Sequence, residues 1–414
     1  MSKPIKIILI AFVAVVLVVC SFGGGLVAGR FIPGLQPVLA APSAGTPAVS
    51  GGQGGTPADL QSLFVPFWQA WTIIHQQYVD QPVDNTKLME GAINGMMQSL
   101  GDPHSTYMDP QTYKDATTEL QGSYAGIGAY VDTNGTLLTI TKPIANSPAE
   151  KAGIQAGDQI IAIDGQDVTS LPPEAVRQKV LGPEGTKVTL TVQRPGETTP
   201  LNFDITRATI VIPSVSSKML DNNIAYVQIT TFGESTASDL HKQLGDLMAK
   251  NPKGIILDLR DNGGGYLETA ISVISEFVPS GVAVIEKAGN GTETPYDVQK
   301  GGLATDSKVP MIVLVNAYSA SASEITAGTL QDYGRAKLLG VTTYGKGTVQ
   351  NWVPLSDNQG AVRITIARWL TAKGRSIDKK GLTPDIVVNM TADDIKAGKD
   401  PQLDAAVKQF TSPQ

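Results

Sequence analysis

The residues with the clearest chemical potential lie between positions 316 and 350. A run of small residues contains Ser319, Ser321 and Ser323, and Lys346 follows between two glycines. A serine hydroxyl is a poor nucleophile at neutral pH and needs a base that takes its proton. A lysine can be that base when burial disfavours its charged form. The stretch therefore predicts the nucleophile and the base of a serine peptidase.

The same stretch admits other bases and other kinds of site. Imidazole is scarce, because the histidines are His75, His104 and His241, none of them in the stretch. The glycines around Lys346 nearly spell a phosphate-binding loop, but that motif needs a serine or threonine after the lysine, where Gly347 stands. Taken singly, small serines in a turn and a lysine between glycines are also ordinary loop residues.

The spacing of three residues resembles a known family. Ser321, Lys346 25 residues later and Gln350 four residues further on are similar to the motif of the C-terminal processing peptidases, also called tail-specific proteases. The resemblance implies that Ser321 is the nucleophile, that Lys346 is the general base and that Gln350 orients the lysine. It also implies that Asp332 supports the site without taking part in proton transfer. No metal and no cofactor are implied.

Length and composition limit the remaining classes of function. A chain of 414 residues is too long for one compact core, so we expect two or three domains. The net charge of -6 comes without a basic cluster, so nucleic acid is not an expected partner. The single Cys20 excludes an internal disulfide framework and metal sites built from several thiolates.

The amino terminus predicts a targeting element over residues 1–35. Lys3 and Lys6 precede residues 7–29, which carry no charge and are long enough to cross a bilayer. We favour a retained single-pass anchor at the cell membrane, with the catalytic portion outside the cytoplasm. The alternative is a signal segment whose cleavage leaves a secreted or periplasmic protein. Residues 36–59, rich in Pro, Gly, Ala, Ser and Thr, are a predicted flexible linker.

Residues 60–118 form a predicted helical region. Apolar residues recur at helical spacing in two segments between Leu60 and Leu100, which indicates two helices with a turn between them. The aromatic stripe of the first segment favours a packing face. The sequence from Leu100 to Tyr107 is similar to a family pattern, and the resemblance includes homodimers among the expected assemblies.

Residues 119–207 predict a PDZ domain. The region contains short alternating strands, and Ala152 to Ile160 resembles the core signature of PDZ domains. Such a domain binds the free carboxyl end of a peptide, whose strand adds to a sheet edge. The motif match makes protein or peptide substrates with apolar carboxyl ends the expected partners. The predicted peptide-binding residues are Tyr124, Gly126, Ile127, Gly128 and, as a sensor or a plain surface residue, Arg177.

Residues 208–414 are the predicted catalytic core. Strand and helix patterns alternate, which predicts a buried parallel sheet, and a run of three glycines follows the strand that ends near Leu259. Such a loop exposes backbone amides where open α/β sheets place their sites. We predict an oxyanion hole formed by Gly263 or Gly264 together with Ala322.

The complete prediction is a multi-domain α+β chain. It has an N-terminal membrane anchor, a helical region, a β-rich PDZ domain with two helices, and an α/β catalytic core. The resemblance implies a ClpP/crotonase-like sheet in that core. The predicted function is a serine endopeptidase that cleaves proteins near carboxyl tails recognised by the PDZ domain. The alternative is a membrane-tethered PDZ scaffold with an inactive core.

Overall fold

A computed structural model describes residues 57–411 of the chain. The predicted anchor and most of the predicted linker lie outside these residues. Within residues 57–411, no helix is both long and apolar enough to cross a membrane.

The first helix, α1 (Gln61–Gln77), belongs to a unit that ends at Val83. It carries the predicted aromatic stripe, whose rings contact one another, as in the edge-to-face pair of Phe67 and Trp68. None of its residues is buried by the described chain. The packing face interpreted from this stripe therefore stays a prediction.

The second unit begins at Asp84, whose carboxylate caps α2 (Asn85–Gln98) by accepting hydrogen bonds from two backbone amides. Strand β1 (Thr106–Met108) and helix α3 (Pro110–Gln121) follow. The prediction of two helices between residues 60 and 100 is therefore confirmed.

The region predicted as a PDZ domain contains a six-stranded sheet, a separate pair of strands and two helices. The strands are β2 (Ser123–Gly126), β3 (Ala129–Asp132), β4 (Thr139–Pro143), β5 (Gln159–Ile163), β6 (Gln166–Asp167), β7 (Lys187–Gln193), β8 (Leu201–Thr206) and β9 (Ala208–Val211). The sheet has the order β3-β4-β5-β7-β8 with β6 on β5, while β2 pairs with β9. The helices are α4 (Pro148–Ala152) and α5 (Pro173–Val180). A separate apolar cluster forms the core of this region.

The catalytic core is organised around a six-stranded sheet. Its strands are β10 (Val215–Leu220), β11 (Ile224–Ile229), β12 (Gly254–Asp258), β15 (Met311–Val315), β16 (Lys337–Gly340) and β19 (Ile386–Val387), in that order. Only β10 is antiparallel to its neighbour. Every residue of β12 and β15 is buried, as expected for a parallel sheet covered on both faces.

Helices cover both faces of that sheet. One face packs against α6 (Thr236–Met248), α7 (Leu267–Ser275) and α8 (Ala322–Asp332), and the other packs against α10 (Pro401–Thr411). A short helix, α9 (Ala392–Lys396), precedes α10.

A second sheet of the core was not predicted. It contains β1, β13 (Val282–Ala288), β14 (Glu293–Asp297), β17 (Thr348–Pro354) and β18 (Ala361–Leu370). The long strand β18 pairs with β1, β13 and β17. The segment before the PDZ region is thereby joined to the catalytic core.

The parallel topology brings three loops together. Strands β12, β15 and β16 are adjacent and parallel, so the segments that follow their carboxyl ends meet at one edge of the sheet. These segments carry the glycine loop, Ser321 and Lys346.

Candidate active site

Ser321 lies in a tight turn between β15 and α8. Its backbone has φ 54° and ψ -116°, which is an unusual conformation for a residue with a side chain. The neighbouring serines fix this turn, because the fully buried Ser319 donates to the carbonyl of Leu259 at 2.8 Å and Ser323 donates to that of Asn262 at 2.8 Å. Ser321 is half-buried, so it is the serine of the three that remains partly accessible.

One carboxylate connects the serine turn to the lysine loop. Glu324 is fully buried, and its Oε2 accepts hydrogen bonds from the backbone amides of Ser321 at 3.0 Å and Lys346 at 2.9 Å. Its Oε1 accepts from the amide of Gly345 at 2.8 Å and from the hydroxyl of Thr343 at 2.5 Å. Burial raises the pKa of Glu324 and these hydrogen bonds oppose the rise. Glu324 thus holds the two backbone segments next to each other.

Lys346 is partly buried within this arrangement. Burial and the charge of Arg363 lower the pKa of Lys346 to about 8, against the opposite effect of Glu324 and Asp102. The indole of Trp369 donates to the carbonyl of Lys346 at 2.8 Å, which fixes the loop from the other side. Among residues 57–411, the Lys346 ammonium forms no hydrogen bond and no ion pair, so the side chains of Ser321 and Lys346 are not bonded here. Such contacts often tighten only when substrate binds.

Gln350 lies on β17, a strand that begins two residues after Lys346. Its amide nitrogen donates to the hydroxyls of Thr348 at 2.7 Å and Thr365 at 3.1 Å. In the described part of the chain it makes no hydrogen bond with Lys346. The predicted role of Gln350 in orienting Lys346 therefore stays a prediction.

The glycine loop approaches the serine turn closely. A Cβ atom on Gly264 would lie 2.8 Å from the Cβ of Ser321 and 3.0 Å from the amide nitrogen of Ala322. The amide of Gly264 donates to Asn262 at 2.9 Å. Within the residues that the structure describes, the amides of Gly263 and Ala322 have no acceptor, and Gly263 is exposed. Of the two predicted glycines, Gly263 is the one whose amide is free to donate.

Arg260 joins the glycine loop to the carboxyl-terminal helix. Its guanidinium pairs with the fully buried Asp258 at 2.6 Å and with Asp400 at 2.8 Å. Gln402 accepts a further hydrogen bond from it at 3.1 Å. The start of the loop is therefore anchored on the segment that begins α10.

A cavity of about 840 Å³ lies beside the PDZ sheet. It is bounded by β3, by α5 and by α3, and Tyr124, Ile127 and Arg177 line it. Arg177 forms ion pairs with Asp115 of α3 at 3.3 Å and with Glu174 at 2.7 Å. Of the predicted peptide-binding residues, Tyr124 and Gly126 lie in a strand and not in a loop. Residues 124–126 belong to β2, because their backbones pair with β9.

The sequence matches known families along most of its length. The family model described as peptidase family S41 matches residues 223–388, and the PDZ domain model matches residues 139–194. A model described as the activating protease CtpB N-terminal domain matches residues 54–112. The chain is 42% identical over 335 residues to the carboxy-terminal-processing protease of Bartonella bacilliformis, covering 80% of this chain and 76% of that protein. The chain belongs to the carboxy-terminal processing proteases of peptidase family S41.

Two further comparisons agree with this assignment. The protease is 40% identical over 326 residues to the carboxy-terminal processing protease CtpA of Bacillus subtilis, covering 78% of this chain and 69% of that one. A solved structure from Bacteroides fragilis, described as an S41 protease, shares the fold with TM-score 0.50 at 16% identity, over 82% of this chain and 96% of that chain. The predicted family, the mixed α/β fold with PDZ domain and peptidase core, and the class of serine endopeptidase are confirmed.

The predicted site residues of the protease separate into two groups. Ser321, Lys346 and the glycine loop meet at one edge of the sheet, with Gln350 on the adjacent strand β17. Asp332 is at the opposite end of α8 from Ser321, about 16 Å along the helix axis. Its buried carboxylate accepts from the amide of Lys373 at 2.8 Å and pairs with Arg375.

Three residues near Ser321 and Lys346 were not predicted from the sequence. The spacing of Ser321 and Glu324 is that of a helix capping box, which could have revealed Glu324 as a local cap but not as a bridge to Lys346. No sequence signal connects Trp369 to the lysine carbonyl. His104 lies outside the stretch that carries Ser321 and Lys346, yet burial and the charge of Lys346 lower its pKa.

Proposed function

We propose that the protease hydrolyses polypeptides near their carboxyl tails with Ser321 as nucleophile and Lys346 as general base. The observation that carries this proposal is the pair of backbone hydrogen bonds from Ser321 and Lys346 to the same oxygen of Glu324. The low pKa of Lys346, about 8, gives a useful fraction of neutral amine at neutral pH.

In this mechanism the neutral amine of Lys346 takes the proton of the Ser321 hydroxyl. The Ser321 oxygen attacks the carbonyl carbon of the scissile bond and forms a tetrahedral intermediate. The intermediate collapses to an acyl-enzyme, and the Lys346 ammonium returns its proton to the leaving amine. Water then gives a proton to Lys346 and attacks the ester carbon. The second intermediate collapses as the Lys346 ammonium returns this proton to the leaving Ser321 oxygen, which frees the new carboxyl end and restores the neutral amine and the hydroxyl.

The developing negative charge on the substrate oxygen needs hydrogen-bond donors. We assign this role to the amides of Gly263 and Ala322, with Gly264 providing the space that lets the loop approach Ser321. The close contact between Gly264 and Ser321 supports this assignment. Each donor of this kind contributes on the order of 100-fold or more to the rate in serine peptidases.

The PDZ domain is proposed to hold the substrate tail. Strand β3 is the outer strand of its sheet, and the cavity runs beside it. An added peptide strand would pair with β3, its carboxylate would reach the amides near Gly126 and Gly128, and its last side chain would contact Ile127. An apolar last residue is preferred in this proposal, since the buried Ile127 offers no polar group. Whether Arg177 responds to the peptide remains a prediction.

The location of the protease is also a proposal. The uncharged residues 7–29 after Lys3 and Lys6 support a single-pass anchor with the catalytic portion outside the cytoplasm. Fractionation of cells into membrane and soluble parts tests this, and recovery of the intact chain in the soluble part contradicts it.

Light scattering on the detergent-extracted chain tests the predicted homodimer.

The central test uses the full chain and an unstructured protein that ends in alanine. Wild type is compared with Ser321→Ala and Lys346→Ala, with circular dichroism to show that all three are folded. We expect cleavage by wild type and a loss of about 1000-fold or more in both variants. The same protein with an amidated end should be cut more slowly if the PDZ domain binds the tail. Equal cleavage by all three enzymes would refute the assigned residues.

An inactive scaffold is not favoured as the alternative. The residues needed for catalysis are present, and the relatives at 40% identity or above are proteases. Binding of a tail peptide without any cleavage by wild type, over a range of pH and peptide concentration, would favour the scaffold.

A further inference from the structure

The glycine loop is tied to the serine turn at the residues that precede Gly263. The hydroxyl of Ser319 donates to the carbonyl of Leu259 at 2.8 Å, at the start of the loop. The amide of Ala320 donates to the carbonyl of Asn262 at 3.0 Å. Both contacts join the backbone of the loop to the turn that carries the nucleophile. The residue between these two anchors, at position 261, is held by a side chain.

That side chain belongs to Asn316, which directly follows β15 and forms a two-point contact with Asp261. Its oxygen Oδ1 accepts from the backbone amide of Asp261 at 3.0 Å, and its nitrogen Nδ2 donates to the Asp261 carboxylate at 2.7 Å. Oδ1 also accepts from the amide of Tyr318 at 3.1 Å. Backbone amides only donate and a carboxylate only accepts, so these neighbours determine the orientation of the Asn316 amide.

The contact holds an unusual backbone conformation. Asp261 has a φ of +60°, in the left-handed region that aspartate and asparagine adopt more readily than most residues. Because Asn316 binds both the amide and the side chain of Asp261, it fixes the direction in which the chain continues toward Gly263. Among residues 57–411, nothing lies within 4 Å of a Cβ placed on Gly263, so packing on that side does not hold its backbone. The position of Gly263 therefore depends on the residues before it.

We propose that Asn316 and Asp261 are positioning residues that hold the amide of Gly263 toward the substrate oxygen in the tetrahedral intermediate. The inference rests on the proposed function, in which this amide and that of Ala322 stabilise the developing charge. A hydrogen-bond donor of this kind acts through its distance and direction. A loop released at position 261 would keep the reacting groups and lose part of the stabilisation of the transition state.

The Asp261 carboxylate has two effects that a test must separate. Its negative charge opposes the charge that develops on the substrate oxygen, so loss of the charge alone would favour the reaction. Loss of its hydrogen bond with Asn316 acts in the opposite direction. Asp261→Asn keeps an acceptor oxygen, whereas Asp261→Gly removes the side chain and still tolerates a φ of +60°. Both variants remove the charge of an exposed residue, and the hydrogen bond distinguishes them.

The test compares the full-chain wild type with these two variants, with Asn316→Asp and with the double variant Asn316→Asp/Asp261→Asn. In Asn316→Asp two carboxylates face each other, and we expect kcat to fall about 3- to 10-fold with KM within about twofold of wild type. Asp261→Gly should show a similar fall, and Asp261→Asn should not. In the double variant the amide and the carboxylate exchange places. The amide at position 261 can donate to the carboxylate at position 316, so kcat should return to within about twofold of wild type.

A peptide aldehyde gives a second measurement that a general loss of stability would not move. The Ser321 oxygen adds to the aldehyde carbon, and the aldehyde oxygen takes the place of the substrate oxygen in the intermediate. Its affinity should fall in Asn316→Asp and in Asp261→Gly by about the same factor as kcat/KM. The affinity of a tail peptide and the free energy of unfolding in urea are measured beside it, and the tail peptide should bind as in wild type.

The outcomes distinguish this inference from the proposed function. Activity in Ser321→Ala or Lys346→Ala would refute the proposed function itself. If both are inactive while Asn316→Asp and Asp261→Gly keep the kcat of wild type, the positioning role is wrong and the proposed function stands. A fall in kcat that the double variant does not reverse, or that leaves the aldehyde affinity unchanged, would also overturn the inference. Should a variant at position 316 fail to fold, Asp261→Gly and Asp261→Asn decide, and equal kcat values refute it.

Discussion

The pH dependence of cleavage provides the sharpest test of Lys346 as the base. With a pKa of about 8, about one molecule in ten carries the neutral amine at pH 7, whereas an ordinary lysine would give about one in 3000. Cleavage requires the neutral form, so kcat/KM should rise about tenfold per pH unit below pH 8 and level off above it. Burial is the main cause of this low pKa, and the charge of Arg363 adds to it.

Replacing Arg363 by glutamine removes one of these causes. The nearby positive charge disfavours the ammonium, so its loss raises the pKa of Lys346 and moves the profile to higher pH. Two charges about 10 Å apart in an effective dielectric constant of about 20 to 40 interact by about 0.8 to 1.7 kcal/mol. We therefore expect the midpoint to rise by about 0.6 to 1.2 pH units, with about 4- to 16-fold less activity at pH 7 and a similar plateau at high pH.

The assay is single-turnover cleavage of a labelled, unstructured protein with an apolar end, measured from pH 6 to pH 10. Arg368→Gln is the matched control, because Arg368 is on the same strand β18 but exposed, and it should leave the midpoint in place. A midpoint for Arg363→Gln that is unchanged or lower than that of wild type would refute the reasoning. A flat profile for wild type would refute Lys346 as the titrating base.

Three further changes have expected results. Glu324→Gln places an N–H group against backbone donors, so the free energy of unfolding should fall by about 2 to 4 kcal/mol in urea titrations, together with kcat; full activity would contradict its bridging role. Gly264→Ala should reduce cleavage about 100-fold or more, because the new Cβ would lie 2.8 Å from the Cβ of Ser321 at a backbone φ of +106°. Gly263→Ala, with nothing within 4 Å of the new Cβ, is its control and should stay active. Asp332→Asn should lower the unfolding free energy by about 1 to 3 kcal/mol and leave kcat within about twofold; a large loss in kcat at full stability would contradict its purely structural contacts.

Local patterns predicted much of the fold. Helices α1 and α2 were predicted, because apolar residues recur at helical spacing between Leu60 and Leu100. Strand β17 was missed, since its residues are mostly half-buried on both faces and show no alternation. The second sheet was not predicted because its strands are distant in sequence and pair only in the assembled fold.

Contacts between segments that are distant in sequence explain which parts of the candidate site could not be predicted. Ser321, Lys346 and Gln350 could be singled out because they follow a family spacing. The bridge from Glu324 to Lys346 joins residues 22 positions apart, and the donation from Trp369 depends on the pairing of β17 with β18. Such contacts arise from the assembled sheets and leave no periodic trace in the sequence.

The contact of Arg260 with Asp400 indicates how far along the chain the catalytic domain extends. The family match ends at residue 388, but the glycine loop that faces Ser321 begins at an arginine whose acceptors include Asp400 and Gln402. A chain shortened to the matched region would retain the reacting groups and lose these anchors, together with the helix that covers one face of the sheet. The smallest autonomous catalytic module of this protease therefore extends through α10.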